Sequence, residues 1–175
     1  MISYSGSDID VIIPDSVTDI ANGAFSHCDI LKSVTIGKNV KSIGAYAFSE
    51  CKSLMSAEIS EGVKSIRYRA FEGCSNLRSI NIPNSVKSIG EYAFSGCSGL
   101  QSIAIPDGIT NIERYTFFWC TALKSIVIPD SVKEIGTGAF EGCSNIKSVA
   151  IPRNCKIKTG LLTSSFRMDT KIIRR

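Results

Sequence analysis

Apolar positions recur along this chain on a beat of 23 residues that no insertion or deletion interrupts. The clearest marker is a Phe with a Cys three residues later: Phe25 and Cys28, Phe48 and Cys51, Phe71 and Cys74, Phe94 and Cys97, Phe117 and Cys120, Phe140 and Cys143. Ile20, Ile43, Ile66, Ile89, Ile112 and Ile135 precede each Phe by five, and Val17, Val40, Val63, Val86, Ile109 and Val132 by eight. After the Cys come Leu31, Leu54, Leu77, Leu100, Leu123 and Ile146, then pairs such as Val34 with Ile36 and Ile80 with Ile82. A repeat of about 20 to 50 residues is the mark of a solenoid, in which each unit buries its apolar side only against its neighbours.

Local spacing predicts the elements of one coil. Apolar residues two apart, as in Val34 and Ile36, share one face of an extended strand. Pro or Gly follows at Pro14, Gly37, Pro83, Pro106, Pro129 and Pro152, and proline, which lacks a ladder donor, ends the strand there. Val86 to Ile89 reads as a second, short extended piece. Ala93, Phe94 and Cys97 have the i, i+1, i+4 spacing of one short helical turn. The whole chain, 1–175, reads as one domain: a partial first coil over 1–30, regular repeats over 31–152 and a degenerate, charged capping coil over 153–175. In that cap Phe166 stands at the Cys position, Ile172 on the strand register and Arg174 in place of an inward Ile, while at the other end Asp8 occupies the Leu position.

Ile80 through Cys97 carries, almost letter for letter, the pattern Ile-x-Ile-Pro-x-x-Val-x-x-Ile-Gly-x-x-Ala-Phe-x-x-Cys. That pattern resembles the BspA-like, or Treponema-type, leucine-rich repeat, over roughly residues 9 to 152. Departures are Arg67 and Glu113 for Gly, Thr116 for Ala and Ser60 for Pro. The resemblance implies an α/β leucine-rich repeat solenoid of right-handed coils, with a concave parallel β-sheet and short extended or helical turns on the convex side. It also implies a cell-surface or secreted protein engaged in adhesion or host contact. Seven strands stacked at about 4.8 Å would give a sheet roughly 30 Å along the axis.

The cysteines are spent one per repeat, with Cys155 on the Val position of the following coil. They read as a ladder of buried thiols, and no CxxC pair or histidine cluster offers a metal site. The single histidine, His27, sits where other repeats carry Glu50, Gly73, Gly96, Trp119 and Gly142, a variable turn position. With no base and orienting partner beside a nucleophile, and no phosphate-binding glycine loop, the chain reads as non-enzymatic, with no cofactor.

Recognition then falls on positions that the core leaves free. Beside the inward anchors of the strand lie Lys32, Met55, Arg78, Gln101, Lys124 and Lys147; a serine column from Ser33 to Ser148; and Thr35, Glu58, Asn81, Ala104, Val127 and Ala150. The serine column reads as a structural requirement of every coil. The other two are candidate ligand contacts, polar at one end and apolar at the other. In the fifth repeat Phe118 and Trp119 replace residues that are small or polar elsewhere, so they are expected outside the core as an aromatic anchor for a protein or glycan. Tyr115, on the beat of Tyr46 and Tyr92, extends that patch.

Charge adds an axial asymmetry. Residues 1–31 carry −5, with no Lys or Arg, whereas 154–175 carry +5; the chain as a whole is only +4. No broad basic surface for nucleic acid follows. The complementary ends would suit a spacer or assembly unit that stacks end to end, or they protect exposed sheet edges. Met1 to Asp10 lacks the basic start and apolar run of a signal peptide, and no segment has the length and apolarity for membrane insertion.

Overall fold

The computed structural model describes residues 9–158 and 171–175. The readings of Asp8 and Phe166, and of the cap between 159 and 170, fall outside them. The described chain is a parallel-sheet solenoid in which most coils add two extended pieces. The longer pieces are β1 (Asp10–Ile13), β3 (Ser33–Ile36), β5 (Ser56–Ile59), β7 (Ser79–Asn81), β10 (Ile126–Val127), β12 (Ser148–Ile151) and β14 (Lys171–Arg174). The short ones are β2 (Asp19–Ile20), β4 (Ser42–Ile43), β6 (Ser65–Ile66), β8 (Ser88–Ile89), β9 (Asn111–Ile112), β11 (Glu134–Ile135) and β13 (Lys156–Ile157). Pairing is parallel and keeps the 23-residue register, as in Val34 beside Ala57 and Ile43 beside Ile66. In the cap, Val149 pairs with Ile172 and Ile151 with Arg174, the positions that the beat assigns.

The expected seven-strand sheet is instead two sheets, β1-β3-β5-β7 and β10-β12-β14, and the short pieces divide likewise into β2-β4-β6-β8 and β9-β11-β13. Between the two large sheets, the coil of Gln101 to Ile105 keeps a single bridge, Ser102 to Ser125. The shortened pieces stand before prolines. Where Ser60 follows the strand, its N–H donates to Ile36 O at 3.2 Å and closes a four-residue ladder. Pro83, Pro106 and Pro129 have no N–H to give, and the extended pieces before them shrink to three residues, one bridge and two residues. Beyond Pro152 the guanidinium of Arg175 supplies the donor instead, 2.7 Å from Ile128 O.

The helical turn predicted around each Phe is not formed; among the described residues there is no helix. Two residues per coil, four apart, have left-handed backbone: Gly23 and His27, Tyr46 and Glu50, Arg69 and Gly73, Tyr92 and Gly96, Tyr115 and Trp119, Gly138 and Gly142. Left-handed residues break α-helical continuity and turn alternate N–H groups sideways. Thus Tyr46, Phe48 and Glu50 donate to Tyr68, Ala70 and Glu72 of the next coil at 3.0, 2.7 and 2.6 Å. The residues between them close local turns, Ala47 to Gly44 and Ser49 to Tyr46. The same three lateral bonds recur at all five junctions from Phe25 to Phe140.

Inside this ladder the six Phe rings form one continuous stack, with centroids 5.0 to 5.7 Å apart and planes within 11°. The predicted anchors from Ile13 to Ile151 are buried in a single core, with Val11 and Val17 packed half-buried against it. The thiols do more than fill space. Each of Cys51, Cys74, Cys97, Cys120 and Cys143 donates through Sγ to the Phe carbonyl of the preceding coil, at 3.0 to 3.2 Å. All seven cysteines are free, and Cys28, in the first coil, is only half-buried.

Burial pushes the Cys51 and Cys143 thiols up to about 12, and holds Cys74, Cys97 and Cys120 well above their ordinary value. In the unfolded chain a thiol ionises near about 8.5. Between that pH and about 12 the unfolded state therefore binds fewer protons than the folded one, so stability is full below about 8.5 and falls as pH rises through this window. A series of urea midpoints from pH 7 to 11 should decline accordingly. Iodoacetamide on the native protein at pH 8.5 should label Cys28 alone, and label the buried thiols only on unfolding.

Candidate functional site

The strand-face candidates are where the register predicts. Lys32, Met55, Arg78, Gln101, Lys124 and Lys147 are exposed, as are Glu58, Asn81, Ala104 and Val127, while Thr35 and Ala150 are half-buried. They form two separate regions, divided by the break between β7 and β10. Over β3, β5 and β7 lies an open hollow of about 540 Å³, lined by Ser33, Thr35, Ser56, Glu58, Ser79 and Asn81. Ser33 Oγ donates to Asp10 Oδ1 at 2.6 Å, and the serine column as a whole lies half-buried to exposed on this floor. Beyond the break the column of Ala104, Val127 and Ala150 is apolar, with Val127 62% exposed.

On the opposite, turn-bearing face the structure brings together more than the sequence suggested. Tyr46, Tyr68, Tyr92, Tyr115, Phe118 and Trp119 form an unbroken chain of ring contacts, with centroids 4.9 to 6.2 Å apart. Arg69 lies over three of these rings, 5.9 Å from Tyr46, 5.1 Å from Tyr68 and 4.6 Å from Tyr92, and its Nη1 pairs with Glu72 Oε1 at 3.1 Å. Burial raises the Glu72 carboxyl above its usual range, against the pull of Arg69. Arg114 caps Tyr115 at 5.6 Å. Tyr68 and Arg69 escaped the sequence reading because the beat puts Arg69, not an aromatic, in the tyrosine column and leaves Tyr68 one residue early. The available signal was that a Tyr beside an Arg occupies a column otherwise held by Tyr46, Tyr92 and Tyr115.

Trp119 is 57% exposed. Its φ of 56° lies in the left-handed region, where most side chains cost about 1 kcal/mol and glycine costs little. The indole leans over the following coil: a Cβ on Gly142 would sit 2.8 Å from Trp119 Cδ1. Tyr115 covers Gly138 and Glu50 covers Gly73 in the same manner. Lys52 lies 3.6 Å from Glu50. His27 is exposed, and its N–H serves the lateral ladder, 2.8 Å from Ser49 O. At the ends some charge is spent internally, Asp15 on Lys38 at 3.1 Å and Asp130 on Arg175 at 3.5 Å. Among the described residues no three His, Cys, Asp or Glu side chains are grouped to hold a metal, and no helix is long and apolar enough to cross a membrane.

These coils define a leucine-rich repeat solenoid. The model of the BspA type leucine rich repeat region matches six copies here, over residues 3–85 and 64–173, and the chain belongs to that family. The fold is similar to a leucine-rich repeat protein from Bacteroides ovatus, with a TM-score of 0.82 and 33% identity over 95% of this chain. A Treponema pallidum leucine-rich repeat protein gives 0.83, with 30% identity over 89% of this chain and 76% of its own. The pneumococcal vaccine antigen PcpA shares the fold at 19% identity, with a TM-score of 0.68. The chain spans 42% of the length of the Bacteroides ovatus protein. No curated protein sequence matches it.

The backbone at Trp119 makes a distinction that can be measured. Trp119→Gly removes left-handed strain and also removes indole packing, so its stability should stay within about 1 kcal/mol of the parent. Phe117→Ala, two residues away but inside the ring stack, should cost about 3–5 kcal/mol. Paired urea denaturation curves give both values.

Proposed function

We propose that this solenoid is a noncatalytic recognition module that binds a macromolecular ligand through its outward side chains, in the setting of a cell-surface or secreted protein. The observation that carries this reading is Trp119. An exposed indole stands at a left-handed position that three other coils fill with glycine, at the end of a row of tyrosines. Tyr, Trp and Arg are the residues on which binding energy concentrates, because they offer large, rigid contact area with a polar edge. The polar hollow around Glu58 and Asn81 is the second candidate surface. Thiols held protonated and turned to carbonyls are poor nucleophiles, which supports the noncatalytic reading.

The alternative, end-to-end assembly through the acidic and basic ends, predicts light scattering that falls as salt rises, and a chain that stays monomeric at low salt excludes it. For recognition, the parent, Trp119→Ala and Arg78→Glu are screened against immobilised glycans and surface proteins. Loss of binding by roughly tenfold in Trp119→Ala places the contact on the turn face, and the same loss in Arg78→Glu places it on the strand face. Binding unchanged in both rejects both surfaces.

A further inference from the structure

Beyond the turn-face and strand-face candidates, we propose that Lys41, Lys64, Lys87, Lys133 and Lys156 form a row that binds a linear anionic glycan with one carboxylate or sulfate on each successive sugar. Each lysine stands at or just before a short strand, in the same position of its coil, and all five are exposed. Main-chain bonds pin the row: the N–H of Lys64 donates to Lys41 O, that of Lys87 to Lys64 O and that of Lys156 to Lys133 O, each at 2.8 Å. Neighbouring lysines are thus held about 4.8 Å apart, and like charges directly opposite on adjacent strands destabilise a sheet. Thr110 is the one gap in the row. Lys87 leans into it, since its side chain lies over Gly108 of the Thr110 coil, with Nζ donating to Asn84 O at 3.2 Å.

Carboxylates do not relieve this repulsion. Among the described residues none of the five ammonium groups has an ion-pair partner. The acids nearby are mostly engaged elsewhere: Asp15 with Lys38 at 3.1 Å, Asp130 with Arg175 at 3.5 Å, Glu134 with Lys158 at 2.7 Å, and Glu61 with the N–H of Ser85 at 3.2 Å, which leaves Asp107. Beside Lys133 the row meets an open hollow of about 400 Å³, lined also by Arg153, Asn154 and Arg175. With Asp130 neutralised by Arg175, the hollow keeps the positive charge of Lys133 and Arg153.

The form of the row selects the occupant. It is single file and spans five coil spacings, about 24 Å, well short of the roughly 800 Å² per partner of a standard protein interface. Single-stranded nucleic acid stacks on aromatic platforms beside its cations, and the segment from Asp15 to Ile20 carries no aromatic residue in any coil. Next to the lysines stand Ser65, Ser88 and Asn111, whose hydroxyls and amide suit the hydroxyls of a sugar. Lysine is a point charge on a flexible stem, which suits single charges repeated along a chain.

The test follows fluorescently labelled oligogalacturonate and chondroitin sulfate by anisotropy at low and raised salt, with dextran as the neutral control and polyphosphate as an anionic chain without sugars. The parent is compared with Lys64→Gln/Lys133→Gln and with Lys52→Gln/Lys171→Gln, an equal loss of charge away from the row. Removing two mutually repelling charges keeps or raises the parent's urea midpoint, so lost binding is not lost fold. At least one of the two glycans should bind the parent at low salt, and dextran should not. Lys64→Gln/Lys133→Gln should bind it roughly tenfold or more weakly, with a shallower salt dependence, while Lys52→Gln/Lys171→Gln binds as the parent does. A parent that binds neither glycan, a row variant that binds as well as the parent, or an equal loss in both variants overturns the row as the site. Polyphosphate bound at least as tightly as both glycans overturns the glycan as the occupant. None of the five lysines belongs to the strand-face or turn-face candidates, so the screens of Trp119→Ala and Arg78→Glu decide those surfaces separately.

Discussion

The constraint on which this solenoid depends is the lateral hydrogen-bond ladder beside the Phe stack. Three N–H groups per coil, those of Tyr46, Phe48 and Glu50 and their equivalents, leave their own turn and bond the next coil. They can do so only because the backbone switches to the left-handed region at two positions four residues apart. Each switch at a side-chain-bearing residue costs about 1 kcal/mol, and the fold accepts seven of them among the described residues. Three bonds per junction and a buried Phe in each coil outweigh that strain. The ladder also fixes the Phe carbonyl where the next coil's Cys Sγ reaches it. A coil one residue longer would move every donor in this segment off its acceptor, which explains why the beat from Phe25 to Cys143 admits no insertion.

The strand face is held more loosely. Its ladder stops between β7 and β10, yet across the same junction Tyr92, Phe94 and Gly96 still donate to Arg114, Thr116 and Phe118 at 3.1, 2.9 and 2.7 Å. Coils that the turn face already holds in register tolerate Pro83, Pro106 and Pro129 at strand ends, where each proline removes one lateral donor. The anchors nearest the break, Ile80, Ile82, Ile103 and Ile105, are 7 to 8% exposed, while Val34 and Ile36 are at 1% or less. The sheet thus remains a surface on which side chains vary from Glu58 to Val127 with little consequence for the coil beneath.

What could be read from the sequence follows from which interactions leave a periodic mark. Buried anchors must be apolar in every coil, so Ile43, Phe48 and Leu54 and their equivalents disclosed the core, the strands and the coil length. Left-handed backbone leaves a weaker mark, because Gly23, Tyr46, Arg69, Tyr92, Tyr115 and Gly138 all adopt it at one position. With no constant glycine there, the spacing of Ala93, Phe94 and Cys97 looked helical. The candidate site was legible at Trp119, which contrasts with Gly73, Gly96 and Gly142 in its own column. Tyr68 with Arg69 was not, since their role comes from contacts to Tyr46 and Tyr92 in adjoining coils. The break in the sheet falls among the coils that carry Pro83, Pro106 and Pro129; the sequence displays the one lateral N–H that each lacks, but not where the ladder stops.

Because side chains on the turn face lean toward the following coil, its surface is written in pairs of residues 23 apart. Three glycines are covered by the side chain one coil earlier: Gly138 by Tyr115, Gly142 by Trp119 and Gly73 by Glu50. Two small residues in succession, Gly73 and Gly96, leave the second of them uncovered by any side chain. Relief on this face can therefore change by substitution at two positions per coil without disturbing the Phe stack or the lateral bonds, which use only main-chain groups. The same left-handed geometry that holds the coils together sets the direction in which these side chains project, so the element most restricted in backbone is also the one freest in side chain.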